Sequence, residues 1–269
     1  MYLKTTWTYG NRVEVRKYHT ARYGERGEKR GRRQRPTSEA MRDANRRRAE
    51  DKLRRLMVAN FTEDDIYLTL TYRKEERPDA EGAKRIVKQF FDALRRVYKK
   101  AGAVLKYIIV TEQKTRAIHH HLVLNDPGLR NFNSVIRKLW RYGGYHSEAL
   151  YPDKDYEKLA GYFLKPEKAG DGEEDRTQSK RYSCSRNLIQ PQKKTEVIRA
   201  KHWREEEPKI PKALREQGYV MERCTEPGLV DAWGYPYQAY TMIRYEQKTS
   251  RGRKDGNRKN ADPHGGADG

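Results

Sequence analysis

Hydrophobic residues along the chain recur with two different periods. In DIYLTLTY, residues 65–72, apolar and polar side chains alternate, which is typical of a half-buried β-strand. In EGAKRIVKQFFDALRRVYKKAG, residues 81–102, five apolar side chains recur at helical spacing and predict an amphipathic helix that stops near Gly102. These five residues are Ile86, Val87, Phe90, Leu94 and Val97.

Further segments extend this pattern in both directions. A first helix is predicted after Pro36, with Thr37 or Ser38 as its cap and with Leu53, Leu56 and Met57 on one face. Beyond Gly102, VLKYIIVTE and IHHHLVLN predict two strands joined by the turn QKTRA. The helix FNSVIRKLW, a strand around YHSEAL and a helix over about residues 153–165 follow. This order predicts an α+β fold of the ferredoxin-like (RRM-like) type, an antiparallel sheet with helices on one face.

The chain carries a large excess of positive charge. It has 59 Lys and Arg against 38 Asp and Glu, a formal net charge of +21, and residues 1–60 are especially rich in arginine. Such a surface attracts a polyanion by counterion release, so a nucleic acid is the expected partner. We expect five arginines, from the first helix and from RYSCSRN, to contact DNA. They are Arg46, Arg47, Arg54, Arg181 and Arg186.

Composition also excludes several classes of protein. No apolar run approaches the length of a membrane span, and MYLKTTWTYG has no signal-peptide core, so we expect no membrane association. Cys184 and Cys224 are far apart and lack C-x-x-C spacing, which argues against a thiolate zinc site and a disulfide scaffold. We expect the protein to remain in a reducing cytoplasm.

Three of the seven histidines lie together in IHHHLVLN. In a strand, His119 and His121 project from one face and His120 from the other. The preceding strand ends at Glu112, and a tight hairpin brings this carboxylate close to the start of the histidine strand. Two imidazoles and a carboxylate leave open coordination positions, which suits Mg²⁺ or Mn²⁺ acting as a Lewis acid.

A second candidate group lies in LAGYFLK, residues 159–165. On a helix, Tyr162 and Lys165 share one face, one turn apart. A phenol with a pKa near 10 is a poor nucleophile at neutral pH, and a nearby cation favours the phenolate. Tyr156 is the competing nucleophile, but six residues place it on a different helical face, so we expect one catalytic tyrosine.

Together these segments resemble the three ordered motifs of the HUH endonucleases. The motifs are YLTLTY at residues 67–72, His119 and His121 around His120, and LAGYFLK. The chain most resembles the rolling-circle replication initiators of filamentous phages and plasmids, over roughly residues 37–200. It departs from their pattern at His120, where a bulky hydrophobic residue is usual. We interpret Thr69 and Thr71 as scaffold beside the site.

The resemblance implies a reaction and its participants. Glu112, His119 and His121 would hold a divalent ion that polarises the scissile phosphate. Tyr162 would attack phosphorus, leaving a 5′-phosphotyrosine and a free 3′-hydroxyl that primes a polymerase, and Lys165 would stabilise the developing charge. The implied partners are single-stranded DNA at a replication origin and the helicase and polymerase of a bacterial host, in whose cytoplasm the protein would act.

We divide the chain into four segments on this basis. Residues 1–60 are predicted to form a basic N-terminal arm and helix, 61–170 the HUH nickase catalytic domain, 171–246 an α+β extension, and 247–269 a disordered basic tail.

Three alternatives remain at this point. A transposase or a mobilisation relaxase would share the nicking chemistry and differ in biology. A non-catalytic ferredoxin-like nucleic-acid-binding domain would share the charge and the sheet, but it has no use for a carboxylate converging with two imidazoles. A hydrolytic metalloenzyme can use His-x-His, yet no further His or Asp ligand set is visible.

Overall fold

The structure is a computed structural model that describes residues 1–20, 39–114, 117–150, 155–165, 182–199, 208–231 and 234–245. The strands are β1 (Tyr2–Tyr9), β2 (Arg12–His19), β3 (Ile66–Thr71), β4 (Tyr107–Lys114), β5 (Ala117–Leu124), β6 (Tyr145–Ala149), β7 (Ser183–Cys184), β8 (Gln192–Ile198), β9 (Tyr219–Cys224) and β10 (Gln238–Arg244). The helices are α1 (Glu39–Asn60), α2 (Ala80–Lys100), α3 (Phe132–Leu139), α4 (Glu157–Phe163) and α5 (Lys212–Glu216), with a 3₁₀ turn at Lys74–Glu76.

Some predictions fall outside the described residues. These are the helix cap at Thr37 or Ser38 and the basic tail over 247–269. Among the helices that are described, none combines the length and the apolar character needed to cross a bilayer.

The strands form two five-stranded antiparallel sheets. The central sheet has the order β6-β3-β5-β4-β7, and the second sheet has the order β8-β1-β2-β10-β9. Within the central sheet, β3, α2, β4, β5, α3 and β6 follow one another in the strand–helix–strand–strand–helix–strand order of ferredoxin-like folds. The predicted α+β class and antiparallel sheet are therefore confirmed.

Local sequence explains the central elements. Asp79 caps α2, because its carboxylate accepts a hydrogen bond from the main-chain N–H of Gly82. The helix stops beside Gly102, which adopts a positive φ of 70° that suits glycine. Phe90 and Leu94 of α2 are buried against Leu68 of β3 and Leu122 of β5, as the helical and strand periods predicted.

Helices cover both faces of the central sheet, whereas the sequence predicted helices on one face. Helices α2 and α3 pack on the face that carries Leu68, Leu70 and Leu122. On the opposite face, Leu53 and Met57 of α1 and Phe163 of α4 form a separate buried cluster with Val110 and Val123. The second layer arises because β4 and β5 are apolar on both faces along their inner halves.

The second sheet joins the two ends of the described chain. Strands β1 and β2 form a hairpin, β1 pairs with β8, and β2 pairs with β10. Residues 1–20, which we expected to form part of a basic arm, instead lie in the middle of this sheet. Their buried Leu3, Val13 and Val15 account for the ordered pairing. Helix α1, from the same predicted segment, packs on the central sheet.

Candidate metal centre and catalytic tyrosine

The register of the β4–β5 hairpin brings the three predicted ligands together. Glu112 of β4 lies directly opposite His119 of β5, and Val110 lies opposite His121. Directly opposite residues share a face, and so do residues i and i+2, so Glu112, His119 and His121 all project toward the face covered by α1 and α4. One ligand atom from each side chain lies within 4.8 Å of the other two. The convergence predicted from the sequence is present.

The carboxylate of Glu112 faces both imidazoles. Its Oε2 lies 3.4 Å from Nε2 of His119, and its Oε1 lies 3.8 Å from Nε2 of His121. His121 is buried, whereas Glu112 and His119 are each partly exposed, so the cluster opens to solvent on one side. Such a position is accessible to a phosphate group.

Hydrogen bonding orients the ring of His119. Its Nδ1 lies 3.3 Å from the main-chain oxygen of Ala117. A carbonyl oxygen can only accept, so Nδ1 carries the proton and the neutral ring directs the lone pair of Nε2 toward Glu112. A lone pair and a carboxylate repel each other unless a cation lies between them or the ring is protonated. Metal-bound histidines commonly have this arrangement, with the distal N–H donated to a carbonyl.

The ring of His121 is held from its other nitrogen. Nδ1 lies 2.7 Å from the hydroxyl of Tyr67 and 3.2 Å from the hydroxyl of Thr69, both on β3. When Nδ1 donates to either hydroxyl, Nε2 presents its lone pair to Glu112. Burial raises the pKa of Tyr67 to about 12, so this phenol remains neutral at physiological pH.

These donors fit a divalent cation. Two imidazole nitrogens and a carboxylate oxygen form a typical mixed ligand set that leaves further coordination positions for solvent or substrate. The hydrogen bonds to Nδ1 on both rings fix the orientation of their Nε2 atoms. The three residues can therefore hold a metal ion, and their chemistry alone leaves its identity open.

His120 has a structural environment. It is 1% exposed, and its ring is hydrogen-bonded to the hydroxyls of Tyr72 and Thr111 at 2.8 and 2.9 Å. Burial, and then the nearby His119 and His121, lower the pKa of His120 to about 3, so the ring stays neutral. This departure from the family pattern places a satisfied polar group in the core under α3, and it leaves the ligand face unchanged.

The hydroxyl of Tyr162 lies beside the candidate metal ligands. It is 3.2 Å from Nε2 of His121, and the two rings meet edge to face with centroids 5.2 Å apart. The residue is 40% exposed at the surface of α4. Partial burial and the charge of Glu112 raise the pKa of Tyr162, so without a bound cation it is a neutral phenol at physiological pH.

The competing tyrosine occupies a different environment. Tyr156 precedes α4 with a positive φ of 53°, and its side chain is 2% exposed within the cluster beneath α1. A DNA phosphate cannot reach a phenol buried in this way. The structure therefore supports the choice of Tyr162 over Tyr156 as candidate nucleophile.

Helix α4 is shorter than predicted. The sequence suggested a helix over about residues 153–165, whereas α4 spans Glu157–Phe163, and residues 151–154 lie outside the described part of the chain. Lys165 lies just after the helix, exposed, with its main-chain N–H donating to the carbonyl of Tyr162. Lys165 is thus near Tyr162 along the chain, but not on a shared helical face.

The five predicted DNA-contacting arginines have different surroundings. Arg47 and Arg186 are exposed, Arg46 forms ion pairs with Asp43 and Glu50 on α1, and Arg181 lies outside the described residues.

Arg54 is placed differently from what we expected. It is 8% exposed, and its guanidinium donates to Glu14 and Asp155 at 2.6 and 2.9 Å. The prediction that it contacts DNA does not fit this position, because the side chain is buried and bonded to internal carboxylates.

The sequence interpretation overlooked Tyr67. Alternation placed it on the same strand face as Thr69, but it attracted no functional role because its partner on β5 is set by long-range register. In the structure, Tyr67 lies opposite Val123 and reaches His121 across the sheet. The signal was the strand alternation itself, combined with the pairing of β3 and β5.

Comparison with known proteins gives one match. Residues 65–167 match the family of the replication-associated protein ORF2 and gene 2 protein. This span runs from β3 to just beyond α4, so it contains Glu112, His119, His121 and Tyr162. The resemblance to rolling-circle replication initiators is confirmed for this segment, and a role in DNA replication follows from it. Searches of curated proteins and of solved structures gave no significant match.

Proposed function

We propose that the protein is a metal-dependent DNA nicking and joining enzyme that initiates rolling-circle replication. The observation that carries the proposal is the position of the Tyr162 hydroxyl, 3.2 Å from Nε2 of His121 in the candidate metal centre. A nucleophile for phosphoryl transfer must lie next to the group that neutralises the phosphate, and this one does. The family match over residues 65–167 supports a replication role.

The proposed reaction replaces one phosphate ester by another. The phenol oxygen of Tyr162 attacks the scissile phosphorus, the bond from phosphorus to the 3′ oxygen breaks, the phenol loses its proton and the 3′ oxygen gains one. The products are a 5′-phosphotyrosine and a free 3′-hydroxyl that a polymerase can extend. Because the phosphodiester energy remains in the covalent link, the reverse attack by a 3′-hydroxyl can rejoin the strand without ATP.

Glu112, His119 and His121 would hold the divalent ion in this reaction. When bound, the ion acts as a Lewis acid on the scissile phosphate and favours the phenolate form of Tyr162. Mg²⁺ prefers oxygen ligands, so the two imidazoles favour Mn²⁺ of these two metals. Exposed Lys165 would contribute positive charge near the phosphate from the chain just after α4.

The proposed substrate is single-stranded DNA at a replication origin, with the host helicase and polymerase acting on the nicked product. A transposase or a relaxase would use the same residues and the same chemical step. No described contact favours either of them, whereas the family match favours a replication protein.

Covalent trapping tests the proposal. The purified protein is incubated with a random-sequence pool of single-stranded DNA and Mn²⁺ and resolved on a denaturing gel. We expect a protein–DNA adduct that falls below detection in Tyr162→Phe, because phenylalanine has no nucleophilic oxygen. His119→Ala and His121→Ala should also lose the adduct, since each removes a metal ligand.

A matched tyrosine serves as the control. Tyr235 is 41% exposed, close to the 40% of Tyr162, but it stacks on His19 near the second sheet. Tyr235→Phe should leave the adduct unchanged. Persistence of the adduct in Tyr162→Phe would contradict the proposal, and so would released DNA fragments without any adduct, which indicate hydrolysis.

A further inference from the structure

A basic cleft lies at one end of the central sheet, outside the metal centre. It has a volume of about 660 Å³ and lies between the end of β3, the end of α3 and the loop that leads into β6. Arg73, Arg137 and Arg141 line it together with Trp140 and Tyr145. No acidic side chain is among its lining residues.

Hydrogen bonds fix the floor of this cleft. The indole N–H of Trp140 donates to the main-chain oxygen of Thr71 at 2.9 Å, and the main-chain N–H of Arg73 donates to the carbonyl of Tyr142 at 2.8 Å. Gly143 packs so closely on β3 that an added Cβ would lie 2.3 Å from the oxygen of Thr71. Only glycine permits this approach, so the loop that carries the cleft is held against the strand.

The cleft is next to the candidate metal centre. Thr71 lies opposite His119 in the register of β3 and β5, so its side chain shares the face of the metal ligands. Its hydroxyl and its main-chain N–H both donate to the carbonyl of Gly144, a lining residue. Two residues along β3 and one strand spacing separate Arg73 from His119, a Cα distance on the order of 10 Å.

The arginines of the cleft are available to an anion. Arg137 and Arg141 are exposed, and among the described residues no carboxylate forms an ion pair with either of them. Nε of Arg141 donates to the carbonyl of Lys138, which leaves its terminal nitrogens directed outward. Arg73 pairs with Glu76 at 3.1 Å, but both side chains are more than half or half exposed, so this pair is weak.

We infer that this cleft binds the phosphate backbone of the single-stranded DNA beside the scissile phosphate. Arginine presents a planar fork of donors that matches phosphate oxygens, and three such side chains can follow a strand that continues from the metal centre. This inference rests on the proposed function, because that function places the scissile phosphate at His119. The cleft would then hold the flanking nucleotides in position for attack by Tyr162.

Binding to DNA tests the inference independently of the chemistry. All variants are made in a Tyr162→Phe background without metal, and the affinity for a labelled single-stranded oligonucleotide of mixed sequence is measured against salt. The double variant Arg137→Ala/Arg141→Ala should bind roughly tenfold more weakly at moderate salt. The slope of log affinity against log salt should fall by about 1.4, since two phosphate contacts are lost.

A second double variant removes the same charge elsewhere. Arg95 and Arg96 are exposed on α2, one turn before Tyr98, whose hydroxyl donates to Asn125 just beyond the opposite end of β5 from His119. Arg95→Ala/Arg96→Ala should keep nearly the full salt slope. All four arginines are exposed, so circular dichroism and thermal melting should show that both double variants fold normally.

The outcomes separate the two proposals. Equal weakening in both double variants would overturn the inference, because it would reflect net charge alone. Loss of affinity for RNA with unchanged affinity for DNA would overturn it as well. If the parent chain forms an adduct with DNA and the cleft variant binds and reacts normally, the inference fails and the nicking function stands. If no adduct forms but the cleft variant alone loses DNA affinity, the nicking function fails and the cleft remains a DNA site.

Discussion

His121 is held from both of its ring nitrogens, and this determines the geometry of the candidate centre. Nδ1 is hydrogen-bonded to Tyr67 and Thr69, while Nε2 faces Glu112 and Tyr162. The ring also packs near Phe163 of α4, with centroids 6.3 Å apart. A ring constrained in this way cannot turn its Nε2 away from the ligand cluster without breaking several contacts.

Tyr67→Phe tests the importance of this orientation. The variant loses the 2.7 Å hydrogen bond to Nδ1 of His121 and keeps the aromatic ring. Groups that hold the distal nitrogen of a metal-bound histidine raise metal affinity, so we expect Mn²⁺ to bind roughly 10- to 100-fold more weakly. Isothermal titration calorimetry of the metal-free protein with Mn²⁺ measures this change.

Tyr142→Phe is the matched control for this measurement. Tyr142 is partly buried and its hydroxyl donates to Gln89 at 3.4 Å, on the side of the sheet away from the metal ligands. It should bind Mn²⁺ with the affinity of the parent protein. Unchanged Mn²⁺ affinity in Tyr67→Phe would show that Thr69 and the packing of Phe163 are sufficient to orient His121.

At the residue scale, local periodicity identified the ligands and long-range contacts identified their supports. Alternation in one strand is enough to place His119 and His121 on one face, and a tight hairpin is enough to bring Glu112 beside them. The same reasoning could not find Tyr67, because its contact with His121 depends on how β3 pairs with a strand about fifty residues away. For Arg54, helical position suggested a solvent-facing cation, and only tertiary packing shows it buried.

Helix α4 carries the candidate nucleophile, and its N-terminal end is held by charged groups from other elements. Asp155, just before the helix, forms ion pairs with Arg54 of α1 and Arg223 of β9. Arg223 also donates to Glu157 in the first turn at 3.1 Å. A helix of seven residues has little stability of its own, so we attribute its position to these pairs and to the burial of Leu159 and Phe163.

Arg223→Ala should loosen α4 without unfolding the protein. The arginine side chain is half exposed and Asp155 keeps its bond to Arg54, so the cost in global stability should be about 1 kcal/mol or less. Amide hydrogen exchange in residues 157–163 should become faster, and the rate of adduct formation should fall more than the affinity for DNA. Hydrogen-exchange mass spectrometry measures the first effect directly.

Arg215→Ala provides the comparison for that exchange measurement. Arg215 is exposed on α5, a short helix that contacts β9. Its removal should leave exchange in α4 unchanged. Equal exchange in α4 of both variants would show that the buried apolar contacts alone position the helix.

At the element scale, the sequence predicted the central sheet well and the second sheet poorly. Each element of the β3–β6 region has a clear period and a short connection to the next, so its type and order could be inferred. The second sheet joins residues 1–20 to residues 192–198 and 219–244, and no local pattern reveals pairing over such separations. The second helical layer was missed for the same reason, because α1 precedes the sheet it covers.

On the scale of the whole molecule, one buried carboxylate links the two sheets. Glu14 of β2 accepts hydrogen bonds from Arg54 and Arg55 of α1, each at 2.6 Å for the closest contact, and from Arg16 at 2.8 Å. Through α1, this cluster connects the second sheet to the layer that covers the metal ligands. Removing a single partner from such a cluster leaves buried charge without compensation, which destabilises proteins strongly.

The titration of Glu14 should therefore appear in the stability of the protein. Burial by itself would raise the pKa of Glu14, but the hydrogen bonds and charges of Arg55, Arg16 and Arg54 outweigh it and lower the pKa to about 2 from an ordinary value of 4.5. The unfolded chain then binds the proton more readily than the native one. The stabilisation is complete above about pH 4.5 and is lost as the pH falls toward 2, and it amounts to about 3 kcal/mol.

Urea unfolding as a function of pH measures this contribution. Glu14→Gln lacks the titrating group, so the difference in unfolding free energy between parent and variant should shrink as the pH falls below 4.5. Glu216→Gln, on exposed α5 and paired only loosely with Lys212 at 3.8 Å, should follow the parent curve throughout. If the Glu14→Gln and parent curves stayed parallel down to the lowest pH at which both remain folded, the arginine cluster would not be holding Glu14 ionised. The link between the two sheets would then depend on packing rather than on charge.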